Sequence, residues 1–71
     1  MADEERAKNL IVVAAAYRYA MTHGITFAAA FERFRQFDLP RILRDNYETL
    51  HTQDLFEGAA FAEDYLARQA A

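Results

Sequence analysis

Thr26-Phe27-Ala28-Ala29-Ala30-Phe31-Glu32-Arg33-Phe34-Arg35-Gln36-Phe37 is the stretch from which the fold can be read. Phe27, Phe31, Phe34 and Phe37 follow one another at spacings of 4, 3 and 3. Side chains three and four apart share one side of a helix, so the phenylalanines form an aromatic stripe. Glu32, Arg33, Arg35 and Gln36 fall off it. Four phenylalanines are a large apolar payload for 71 residues, and the stripe reads as core rather than as a ligand pocket. Thr26 supplies the N-cap, its hydroxyl placed to accept from a first-turn N–H. Ile25 before it is placed to pack back on that turn.

On the N-terminal side, Gly24 stops a first helix over about residues 3–22, as glycine in left-handed geometry commonly does. Leu10, Val13, Ala14, Tyr17 and Met21 recur at helical spacing and are taken as its inward face. Asp3, Glu4 and Glu5 suit the positive end of its dipole. On the C-terminal side, Asp38 and Pro40 open a third helix over about 39–50, proline being tolerated in a first turn. Leu39, Leu43, Tyr47 and Leu50 face inward, while Arg41, Arg44, Asp45 and Glu48 face out. An Arg44–Glu48 pair has i, i+4 spacing in its weaker orientation. A fourth helix covers about 53–69, with Leu55, Ala59, Ala62 and Leu66 on one face. Gly58 inside it either permits close packing or marks an irregularity. Phe61 falls off the best apolar face and is a candidate exposed aromatic. The pattern predicts an all-α, compact four-helix domain spanning 1–71.

Composition narrows the function. Hydrophobic residues make up 54% and charged residues 27%, a balance that folds rather than stays disordered. Cysteine and serine are absent, so thiolate and serine nucleophiles, disulfides and cysteine zinc sites are excluded. The two glycines are isolated, so no phosphate loop exists. His23 and His51 stand far apart, which is not a metal-ligand spacing. No cofactor, metal or small-molecule ligand is inferred. The acidic start is wrong for a signal peptide, and the apolar run Leu10 to Tyr17 is too short to span a bilayer. A cytoplasmic, non-membrane, non-enzymatic protein is expected.

Charge is uneven around a net −3. Arg33, Arg35, Arg41 and Arg44 cluster, and then six acids run from Asp45 to Asp64 without a Lys or Arg. Two solvated faces explain this; an acidic surface meeting a basic partner is the functional alternative. Tyr47 and His51 are helix neighbours, followed by Thr52 as a cap and Gln53 in the next turn. These side chains either satisfy backbone groups at a helix junction or, with Asp54, Glu57 and Phe61, form a partner site.

The run Tyr47-x-x-Leu50-His51-Thr52-Gln53 resembles the signature of a family of short bacterial helical proteins. Tyr19-Ala20, His23-Gly24-Ile25-Thr26, the Phe31-Phe34-Phe37 spacing and Tyr65-Leu66 match the rest of that pattern. The chain departs from it after Gln53, at Leu55, Phe56 and Phe61. Members are often encoded beside an ADP-ribosyltransferase-like protein, which implies an antitoxin-like or accessory role. The expectation is a domain that binds a protein partner or itself. A DNA-binding regulator is the alternative, with a thin basic footprint.

Overall fold

The computed structural model describes residues 2–50 and 57–70, and every described regular element is a helix. They are α1 (Ala2–His23), α2 (Phe27–Gln36), α3 (Leu39–Asp45), α4 (Tyr47–Leu50) and α5 (Glu57–Ala70). Helix α1 is the spine. Helices α2, α3 and α5 pack on it, α5 most extensively.

The stops and starts follow local chemistry. Gly24 has φ +63, a geometry that costs glycine nothing. Its N–H donates to the Met21 carbonyl at 3.4 Å, and that of Ile25 to Ala20 at 3.0 Å. Those are the two bonds of a Schellman ending. Thr26 then accepts from the Ala29 N–H at 3.0 Å, capping α2 as its sequence position predicts.

Asp38 behaves otherwise. It precedes α3, but with φ 59 it is left-handed, and its side chain makes no cap. Its carboxylate instead accepts from Arg41 Nε at 2.6 Å. The expected third helix is two. Asn46 is the C-cap of α3: its backbone N–H donates to the Ile42 and Leu43 carbonyls at 3.1 and 3.2 Å, and its side-chain amide adds a second bond to the Ile42 carbonyl at 2.7 Å, tying the residue back on the turn it ends. Thr49 and Leu50 then restart the ladder on the Asn46 carbonyl.

The core holds Ile11, Val12, Ala15, Ala16, Tyr19 and Ala20 from α1, with Ala30 and Phe34 from α2. Leu39, Leu43 and Leu50 join from α3 and α4, and Ala59, Ala62 and Leu66 from α5. The inward faces predicted for the third and fourth helices therefore hold wherever they are described. Leu55, and residues 53–56 as the start of the fourth helix, lie outside the described residues.

Two predicted faces need correction. The phenylalanine stripe is graded: Phe34 is fully buried, Phe31 and Phe37 are half-buried, and Phe27 is exposed. A ten-residue helix packed between α1 and α3 covers its middle better than its first residue. The larger correction is in α1. Leu10, Val13, Tyr17 and Met21, read as inward, are exposed; of that set only Ala14 is buried. The helix is apolar on both sides from Leu10 to Met21, so periodicity alone does not choose. Size chooses. Ala15 and Ala16, both at 0% exposure, let the neighbours approach closely, and dense packing favours the smaller face. Gly58 is the other half of that contact. A Cβ there would lie 3.2 Å from Ile11 Cγ2 and 3.7 Å from Ala15 Cβ. Gly58 thus permits close packing, and α5 stays regular through it.

Candidate interaction surface

The outer face of α1 is built by a single periodicity. Leu10, Val13, Tyr17 and Met21 lie along one line at steps of three and four residues, on the side away from the core. Leu10 is 54% exposed, Tyr17 55% and Met21 62%. Ile25 and Phe27, just beyond the end of α1, are each 40% exposed. Scattered apolar residues on a surface are ordinary, but an aligned row is a patch.

The residues singled out from the sequence fall elsewhere. Tyr47 opens α4 and packs half-buried against the core. Glu57 is exposed in the first turn of α5. Phe61 is half-buried rather than exposed, stacked on Tyr65 with ring centroids 6.4 Å apart. Its ring leans along α5, and the Tyr65 hydroxyl in turn donates to the Phe37 carbonyl at 3.4 Å. His51, Thr52, Gln53 and Asp54 lie outside the described residues. Tyr47 and Phe61 thus contribute to packing.

A cleft of about 130 Å³ opens between the end of α1, α2 and α5. Tyr19, His23, Arg33 and Glu63 line it, with Leu66 and Ala67. His23 stacks on Tyr19, centroids 4.1 Å apart, and its Nε2 lies 2.7 Å from Glu63 Oε1. Both side chains are about two-fifths exposed, so the pair is an exposed contact of little energetic weight. The pair links the end of α1 to α5 at the surface. No metal role was expected of His23 with His51; the described partners of His23 are an aromatic ring and one carboxylate. Among the described residues no group of three or more His, Cys, Asp or Glu side chains is arranged to hold a metal ion.

The arginine cluster is largely neutralised. Arg35 reaches Glu32 at 3.3 Å, and Arg41 bridges Asp38 and Asp45. Those carboxylates, Asp38 first, raise the Arg41 pKa. Arg44 bonds Glu5 and Asn9 of α1, across the α1–α3 contact, and not Glu48 as its spacing suggests. The Arg44 hydrogen bond, then its charge, holds the Glu5 carboxyl below its usual range. Arg33, on the cleft, has no ion-pair partner among the described residues.

No described helix is long and apolar enough to cross a membrane. Comparison with known protein families, curated proteins and solved structures gives no match.

Proposed function

We propose that this chain is a small non-catalytic interaction domain whose contact surface is the outer face of α1. The observation that carries the reading is the exposed row Leu10, Val13, Tyr17 and Met21 on a helix whose other side is already fully used. A folded domain gains nothing by keeping that row in water, and covering it with another protein releases the hydrophobic cost. The family resemblance adds an antitoxin-like or accessory role toward a cognate protein, on sequence grounds alone.

DNA binding has less support. Arg35, Arg41 and Arg44 already face carboxylates within the chain, and the net charge is −3. Neutralised arginines release few counterions from a phosphate backbone.

The test is capture of a purified partner by surface-immobilised protein. Tyr17→Glu is expected to abolish binding, and Glu57→Gln to preserve it. Equal binding by the Tyr17 variant moves the contact away from α1. A shift of promoter DNA at low salt, lost in Arg33→Ala, supports the regulator reading instead.

A further inference from the structure

We propose that the partner of the α1 outer face is a second copy of this chain, the two α1 helices lying antiparallel. The inference rests on the interaction reading above and names its occupant.

The first argument is self-complementarity. From Leu10 to Met21 the row contains no charged side chain. A two-fold pairing sets each patch against its own copy, so the row itself buries no charge, and exposed Arg18 beside it falls at the edge of the contact.

The second argument is area. Taking roughly 200 Å² for each residue, Leu10, Val13, Tyr17 and Met21 leave on the order of 400 Å² of mostly apolar surface in water. That lies within the about 300–600 Å² of the largest patch on a typical monomer, which is often functional. Two such patches closed on each other bury about 800 Å², the size of a weak, concentration-dependent contact.

Charge sets the direction. Arg6 sits one turn before Leu10 on the same line, after Asp3, Glu4 and Glu5. Parallel helices would stack Arg6 on its copy and the three acids on theirs. Antiparallel helices separate the two charged ends by the length of the row, about 16 Å at 1.5 Å per residue. The same acidic end and a net charge of −3 make an anionic lipid surface the poorer occupant.

Sedimentation equilibrium of the full chain, wild type against Tyr17→Glu and Tyr17→Phe, tests the pairing. The expected result is a monomer–dimer equilibrium, weakened roughly 100-fold by the glutamate and retained by the phenylalanine. Residue 17 is exposed, so both variants should keep the wild-type helical circular dichroism. The chain has no cysteine, which allows a geometric test with Leu10→Cys and Met21→Cys chains mixed under oxidation. Antiparallel pairing makes the mixed disulfide form faster than either homodisulfide. Faster homodisulfides overturn the antiparallel arrangement. A wild type that stays monomeric to about 1 mM, or a dimer indifferent to Tyr17→Glu, overturns the pairing. A monomer that still captures a purified foreign partner through Tyr17 overturns the second copy but keeps the interaction reading. Loss of both signals removes that reading too.

Discussion

The two faces of α1 are equally greasy by residue type and have opposite fates. Ile11, Val12, Ala15, Ala16, Tyr19 and Ala20 are buried, whereas Leu10, Val13, Tyr17 and Met21 stand in water. Each set follows helical periodicity. What separates them is side-chain size at the points of closest approach. Ala15 opposite Gly58 lets two backbones meet at a distance that Tyr17 or Met21 would hold open. In a helix with two apolar faces, the side with small residues at the contact points marks the neighbour inside the fold. The large side is left for a neighbour outside it.

The contrast can be broken from the inner side first. Phe34 is fully buried and meets the Tyr19 ring edge-on, centroids 5.5 Å apart. Phe34→Ala should cost about 3–5 kcal/mol in urea unfolding, enough to unfold much of so small a domain. A cost under about 1 kcal/mol would mean that the core is elsewhere. Gly58→Leu comes next. Its side chain has no room beside Ile11 Cγ2, and overpacking should cost about 1–3 kcal/mol. An unchanged urea midpoint would show that α1 and α5 do not meet at the Ala15–Gly58 contact.

The outer face should answer differently. Tyr17→Ser, measured dilute enough to be monomeric, should change unfolding free energy by no more than about 0.5 kcal/mol. A loss of core magnitude there would reverse the assignment of the two faces.

The smallest effect lies at the rim of the inner face, where Glu5 takes the Arg44 hydrogen bond. The Glu5 carboxyl is held below its unfolded pKa, so its contribution is complete above that unfolded value and fades as pH falls through the folded one. Glu5→Gln should therefore be slightly less stable than wild type at pH 7. The two should converge in acid. A gap that widens in acid would mean that Arg44 does not hold Glu5.

Much of the fold was legible in the sequence because it is written in local chemistry. Gly24, Thr26 and the Leu39/Leu43/Leu50 and Ala59/Ala62/Leu66 series each state a stop, a cap or a face. The break at Asn46 was not legible, since an asparagine inside a helix usually points to solvent and here bonds back to Ile42. The face of α1 was misread for a deeper reason. A binary apolar pattern counts Ala15 and Tyr17 alike, while packing separates them by volume. Of the predicted partner site, Tyr47 and Phe61 are half-buried against the core, and Glu57 is exposed away from the row. The outer row was visible all along, but as core. Nothing in one chain's spacing tells a face that meets its own fold from one that meets another chain.

Tyr17 and Tyr19 sit two residues apart on the same helix and give the most direct test. Hydroxyl-radical labelling of the two rings, followed by mass spectrometry across a dilution series, reads both faces at once. The account predicts Tyr19 protected at every concentration, and Tyr17 modified when dilute and shielded as concentration rises. Tyr19 modified as readily as Tyr17 in dilute, folded protein would contradict it.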